Sequence, residues 1–239
     1  ERILDLFEML CGARLLYNYV WPGGVSHDLP PKFIQKTHEF LDYFLPQIDE
    51  YNQVLTSNKI FIERSADVGV LPLDVGINYG VTGPSLRGSG STFDLRKDEP
   101  YSVYDKFDFD VPVGEGLMGT VGDCWDRYYV KVLEMKESAK IIRQALDGIP
   151  PGDVHEVLPK KIRPPKGEVY SRYESARGDV GFYIRSAGKN MPDRLKMRSP
   201  AYCNLSVLNE ISEGWMMSDV IAALGSLDIV LGEIDRWHL

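Results

Sequence analysis

The chain has 239 residues, 44% of them hydrophobic, and a net charge of −8, enough apolar material for a sizeable core in one large or two small domains. Its acidity excludes a protein built to grip a nucleic-acid backbone, since that affinity rests on clustered Lys and Arg, so any basic patch must be local. No apolar run approaches the ~20 residues that span a bilayer.

The opening ERILDLFEML is amphipathic and acidic, unlike a secretory signal. Glu1 stands where a methionine would begin a chain, which leaves a processed product, a domain or an incomplete reading open. Ile3, Leu4, Phe7, Leu10, Cys11 and Leu15 recur every three to four residues, so the spacing predicts a helix over 1–20 ended by Trp21-Pro22-Gly23-Gly24. From Pro31, a first-turn proline, an apolar stripe from Phe33 to Leu55 predicts a long second helix bent at Pro46. Shorter helices are expected over 58–66 and 72–79. Between Gly80 and Gly122 glycine, proline, aspartate and aromatics replace periodicity, the mark of a long ordered loop with a function or an interface.

Asp123 to Leu146 reads as the third long helix, with Tyr128, Val132, Met135, Ala139, Ile142 and Leu146 on one face and Gly148 beyond its end. A Pro- and Lys-rich connector over 151–168 leads to EVYSRYES, VGFYIRS and RLKMRSP, three short antiparallel strands, the first two joined by Ala176-Arg177-Gly178-Asp179. A last helix over 206–224 precedes an apolar, acid-flanked tail that reads as packed into the molecule, because frayed termini are small and polar. The expected fold is therefore α+β: mainly α with a small antiparallel β region. One domain over 1–239 is expected, comprising a helical core 1–150, the β region at 168–200, and a C-terminal helix and buried tail at 206–239.

Cys11, Cys124 and Cys203 are odd in number and scattered, so they form neither a disulfide framework nor a CxxC metal site, and they read as small core residues of a reducing compartment. His27, His38, His155 and His238 are equally dispersed. The expectation for a metal held by this chain alone is none.

The stretches GARLLYNYVWPGGV, TGPSLRGSG, FDLRKDEPYSVYDKFDFDVPVG, GDCWDRYYVKVLEMKESAKIIRQAL and GSLDIVLGEIDR stand in this order over Glu1 to Arg236. In sequence and spacing they resemble the D-subunit family of NADH:quinone oxidoreductase, the nickel-iron-hydrogenase-like large subunit of respiratory complex I. The resemblance implies a helical bundle core of the hydrogenase large-subunit type. Members are longer at the N-terminus, where a His-Arg-Gly motif and a Tyr contact the quinone headgroup. In the related hydrogenases an Asp-Pro-Cys-x-x-Cys-x-x-His tail holds the metals. Laid on this chain, Asp228 keeps its place, while Val230 and Glu233 stand at the cysteines and Arg236 at the histidine. Nickel and iron need the soft thiolates, so the resemblance implies that the metal cavity has become an organic-ligand cavity.

By the same resemblance, Asp228, Val230, Glu233 and Arg236 are candidate walls of a quinone chamber, a site type that wants apolar surface with a few placed polar groups. Packing and an ordinary salt bridge are the plainer reading of Val230 and Glu233. Arg87, Asp94, Arg96, Asp105, Asp108, Asp110 and Arg127 crowd the irregular segment and the helix after it, and their loops would lie near the old active site, as ion pairs or a proton relay. Arg14 and Tyr17 are candidates to face the terminal iron-sulfur cluster, although a helical Arg is commonly a surface snorkeller. Many family members carry a tuning His at or next to Leu16 and Tyr17; this chain has none there.

The implied function is that of a subunit of a proton-translocating NADH:quinone oxidoreductase, a translocase component inactive alone. It would bind no cofactor itself: quinone is the substrate, and FMN and the iron-sulfur clusters sit on partner subunits. The implied partners are other complex I subunits, especially B, C and the membrane-arm H subunit, and no nucleic acid. The implied place is the cytoplasmic side of the cell membrane, or the matrix side of the mitochondrial inner membrane, as a peripheral protein. The alternatives are a non-catalytic scaffold or truncated member, or the equivalent subunit of a ferredoxin- or deazaflavin-driven quinone or phenazine oxidoreductase.

Overall fold

The computed structural model describes residues 1–159 and 161–235. Helix α1 (Arg2–Cys11) is half the length expected from its periodicity. Gly12, at φ 74°, takes the left-handed conformation that closes a helix and returns its N–H to the Glu8 carbonyl. Leu15 and Leu16 therefore lie outside the helix and exposed. Pro22 and Gly23 end no helix; they form the turn between β1 (Val20–Trp21) and β2 (Gly24–Val25).

Helix α2 (Phe33–Tyr51) carries Pro46 inside it and continues into a π-helical turn over Asn52–Thr56. Two short helices follow. The Asn58 side chain caps α3 (Lys59–Ser65) by accepting from the Ile60 and Phe61 amides, and Gly80 in the left-handed conformation closes α4 (Leu73–Tyr79). The aperiodic stretch holds two four-residue helices, α5 (Pro84–Arg87) and α6 (Leu95–Asp98). Helix α7 (Cys124–Gly148) begins at Asp123, whose carboxylate accepts from the Asp126 amide, and runs through Gly148 rather than stopping before it.

Strands β3 (Gly167–Ser175), β4 (Gly178–Ser186) and β5 (Arg194–Arg198) form an antiparallel sheet in that order, with Ser175 opposite Gly178 across a two-residue loop. The single helix expected over 206–224 is three: α8 (Pro200–Ser206), α9 (Leu208–Ser212) and α10 (Met217–Leu227). Ser199 caps the first at Pro200, and Gly214, at φ 81°, separates the second from the third. Helix α11 (Leu231–Asp235) ends the described chain.

The core explains how these pieces hold. Val68, Leu71, Val81 and Leu86 pack with Cys124 of α7 and with Val207, Ile211, Ala223 and Leu227, so the C-terminal helices complete the core begun by the first half. At ~25 cal/mol per Å² of buried apolar surface this packing is the main stabilising term. The sheet is pinned to that core by close backbone contact: a Cβ on Gly83 would lie 2.5 Å from the Gly178 Cα. Only glycine fits there, and Gly83, at φ 70°, also needs glycine's conformational freedom. This contact sets α5 beside the β3–β4 turn, with Arg87 within 2.9 Å of Glu174 at the end of β3. No helix among the described residues is long and apolar enough to cross a membrane.

Candidate functional site

Arg87, at the end of α5, is 1% exposed and lies among three carboxylates. Its guanidinium pairs with Glu134 at 2.6 Å, Glu174 at 2.9 Å and Asp94 at 3.3 Å. Asp94 in turn pairs with Arg96 at 2.6 Å and caps α6 through the Arg96 amide at 2.9 Å. Burial by itself would raise the Asp94 pKa, but the hydrogen bonds from Arg96 and the charges of Arg87 and Arg96 outweigh it, holding the carboxyl below its ordinary value. Glu174 goes the other way. Burial, reinforced by the nearby Asp94 charge, pushes it up against the pull of Arg87.

The outer atoms of this cluster form the polar end of a cavity of about 520 Å³. Phe40, Leu41 and Phe44 of α2 and Met135, Ala139 and Ile142 of α7 make its apolar walls, and Lys131 and Asp228 close it on the tail side. Burial pushes the Lys131 ammonium down to about 8 against the attraction of Asp228. Its Nζ donates to the Ser226 carbonyl at 2.8 Å and lies 3.8 Å from Asp228.

Asp228 ends α10 in the left-handed conformation, at φ 56° and ψ 55°. That reversal turns the tail away from the helix and places its carboxylate between Lys131 and Arg177, the latter donating at 3.3 Å. On the far side of the β3–β4 turn, Val230 and Glu233 line a second cavity of about 360 Å³ with Tyr173, Val180, Phe182 and Met197. Ser175, Ala176 and the tip of the turn divide the two cavities. Among the described residues Glu233 forms no salt bridge there. Its carboxylate accepts from the Ser199 hydroxyl and the Ala201 amide, tying the tail to the start of α8.

Arg127 is fully buried beneath the tail. It donates to the Gly122 carbonyl at 2.5 Å, the Gly69 carbonyl at 2.8 Å and the Ser226 hydroxyl at 2.8 Å, with no carboxylate among its hydrogen-bond partners in the described residues. Its role in the geometry is to fasten the end of α10 to α7. Among the described residues no group of His, Cys, Asp and Glu is arranged to hold a metal ion.

Two comparisons bear on this arrangement. The sequence matches the family described as respiratory-chain NADH dehydrogenase, 49 Kd subunit, over residues 1–162 and 155–236. The chain belongs to this family. It is 50% identical over 240 residues to the D subunit of the NADH-quinone oxidoreductase of Chlorobaculum tepidum, covering 99% of this chain and 60% of that one. It is also 50% identical over 244 residues to the D 1 subunit of the Cytophaga hutchinsonii NADH-quinone oxidoreductase, covering 99% and 62%. The D subunit from Chlorobium phaeovibrioides matches at 48% over 240 residues. The chain thus spans about 60% of the length of these 49 kDa family relatives.

In this family member the structure brings Arg87, Asp94 and Arg96 together and adds Glu134, Glu174, Lys131 and Arg177, none of which the sequence singled out for the site. Glu134 and Lys131 lie beside the apolar stripe of α7, and that spacing was the available signal. Asp105, Asp108 and Asp110 are not part of the cluster. All three are exposed; Phe109, between the last two, turns inward at 3% exposure and sends Asp108 and Asp110 out. Arg14 is held by acidic side chains of α1's own segment, Glu1, Asp5 and Glu8, at 2.6–2.8 Å. Tyr17 lies against Phe7 with ring centroids 4.2 Å apart. Arg236 lies outside the described residues. Of the cysteines, Cys124 is core and Cys11 and Cys203 are half-buried.

Proposed function

We propose that this chain is the quinone-reducing subunit of a proton-translocating NADH:quinone oxidoreductase, with a hydrogenase-type helical core. In this reading the two cavities beside the β3–β4 turn form its share of the quinone chamber. Electrons arrive from an iron-sulfur cluster on the neighbouring B subunit, NADH being oxidised at FMN on a distant one. The C subunit and the membrane-arm H subunit complete its surroundings, on the cytoplasmic or matrix face of the membrane. The observation that carries the reading is the tail: in a member of this family, Asp228 and Val230 stand on the two sides of one turn, each lining a cavity that is mostly apolar with a few charged groups at its rim.

In this reading particular groups have distinct work. Reduction of a quinone consumes two electrons and two protons. The apolar walls of α2 and α7 suit the ring and tail, and Lys131, facing the cavity with its ammonium partly desolvated, can give up a proton near neutral pH. Arg87 with its three carboxylates fixes the polar end without itself titrating.

The test is Val230→Met in the assembled enzyme. Added bulk projecting into ligand space should change quinone affinity or inhibitor sensitivity while flavin-site transfer to an artificial acceptor stays intact. Overpacking a core valine would instead cost about 1–3 kcal/mol and lower both activities together. Glu233→Gln keeps shape and removes charge. If the ratio of quinone-linked to artificial-acceptor activity stays at the wild-type value in both variants, with subunit content equal by immunoblot, the tail is packing and the assignment fails.

A further inference from the structure

Charge is distributed very unevenly along this acidic chain. Between Val157 and Arg198 the sequence carries eleven Lys and Arg against four Asp and Glu, a net +7, so the remainder carries −15. Within the stretch Arg172, Arg177, Arg185 and Arg198 are committed to ion pairs with Glu99, Asp179, Asp228 and Asp193. Lys161, Arg163, Lys166, Lys189, Arg194 and Lys196 are exposed and form no ion pair among the described residues.

These six gather at one end of the sheet. The Ala176–Arg177 turn is locked into the core at Gly83, so the opposite end, where β3 starts, β4 ends and β5 starts, projects outward. There the Ser186 hydroxyl donates to the Pro164 carbonyl at 3.1 Å, holding the connector alongside β4. The Asp193 amide donates to the Arg185 carbonyl at 2.8 Å, and the Lys166 stem lies beside Gly188. Apolar side chains stand among the cations: Met191 is 72% exposed, Val169 56%, Leu195 51% and Ile162 48%.

We propose that this end of the sheet docks onto a layer of anionic lipid headgroups. Two features favour a lipid surface over an acidic protein. Four of the six unpaired cations are lysines, which protein interfaces deplete in favour of arginine, whereas attraction to an anionic bilayer needs only point charge. A molecule with +7 over the segment that carries this projecting end and −15 elsewhere is also oriented by a broad anionic plane, that end toward it and the body away. The exposed Met191 and Leu195 then enter the headgroup region, as on other interfacial elements that mix cations with apolar side chains. The inference does not rest on the quinone reading.

The experiment is co-sedimentation of this chain with vesicles of mixed phosphatidylcholine and phosphatidylglycerol and with vesicles of phosphatidylcholine alone. Binding to the mixed vesicles only, released at about 0.5 M salt where the Debye length falls to a few Å, is expected. The triple variant Lys166→Gln, Lys189→Gln, Lys196→Gln should bind about a hundredfold more weakly, at about 1 kcal/mol per cation. Met191→Ser should weaken binding by a smaller, salt-insensitive factor. Circular dichroism and thermal melting confirm that each variant is folded. Equal binding of the triple variant and the native chain overturns the proposal, as does absence of binding to the mixed vesicles. Loss of the triple variant from the assembled enzyme, with no lipid binding by the native chain, assigns the surface to an acidic protein instead.

Discussion

Around Arg87 the charged groups are buried and paired, whereas around the tail they stand half open. The Arg87 side chain is 2% exposed and faces three carboxylates; Asp228 is 40% exposed between two cations held at 3.3 and 3.8 Å. The Arg177 Nε, though buried, has no hydrogen-bond partner among the described residues, and Val230 is 38% exposed. A buried charge survives only when paired, so the first region is constrained by the fold. The second meets no such demand, and its loose ends are where a ligand or a partner would be felt. Both touch the same cavity, and the close Gly83–Gly178 approach lies between them.

The difference is broken most severely at its rigid side. Arg87→Met would leave Asp94, Glu174 and Glu134 without their shared cation, and removal of one partner from a buried ion-pair group costs about 3–5 kcal/mol. Denaturant melts should show that loss, while Asp228→Asn at the open side should cost less than about 1 kcal/mol. Similar losses for the two variants would erase the contrast. Gly83→Ala strikes the joint between the regions. A Cβ there meets Gly178 at 2.5 Å with the backbone at φ 70°, so destabilisation of about 2–3 kcal/mol is expected. An alanine tolerated without loss would mean that the sheet is not fixed to α5 by this contact.

Lys131 sharpens the comparison through pH. Its folded-state pKa is lowered, by burial first, to about 8. Between that value and its ordinary pKa the unfolded chain binds the extra proton, so this lysine's contribution to stability rises as pH rises through that window. Lys131→Met has no such gain. The stability of the native chain relative to the variant should therefore improve from pH 7 to pH 10, by on the order of 2 kcal/mol once partial exposure to the cavity is allowed for. A difference that is flat with pH would mean that the cavity is wet enough to leave Lys131 unperturbed.

Much of this is legible in the sequence. Asp123 as the cap of α7 follows from an acid just ahead of a periodic run, and the β3–β4 pairing follows from two alternating stretches around Ala176–Arg177. Helix α1 is shorter than its pattern because apolar spacing continues to Leu15, while the conformation of Gly12, a backbone matter, stops it. Glu174 escapes notice because in EVYSRYES it looks like one more polar residue on an open strand; long-range contacts, the Gly83–Gly178 approach and the Tyr101 hydroxyl bonded to its backbone, hold it against Arg87. Arg177 is hidden as a turn residue for the same reason. Tertiary contacts decide these sites, and periodicity does not encode them.

The smallest expected effect concerns Asp110, which the sequence groups with the relay. Its carboxylate is 88% exposed and 3.8 Å from Lys140, itself 53% exposed and closer to Glu137 at 2.7 Å. Such a pair is worth little in water, so Asp110→Asn should change stability by less than about 0.5 kcal/mol. Because Phe109 points inward and Asp110 outward, the side chain is also on the wrong side of its own segment to pass protons to the cavity. The pH profile of quinone-linked activity in the assembled enzyme should be unchanged by this substitution, where Lys131→Met should shift it. A shifted profile for Asp110→Asn would show that a partner covers this surface and carries protons across it, moving the relay from the buried cluster to an interface.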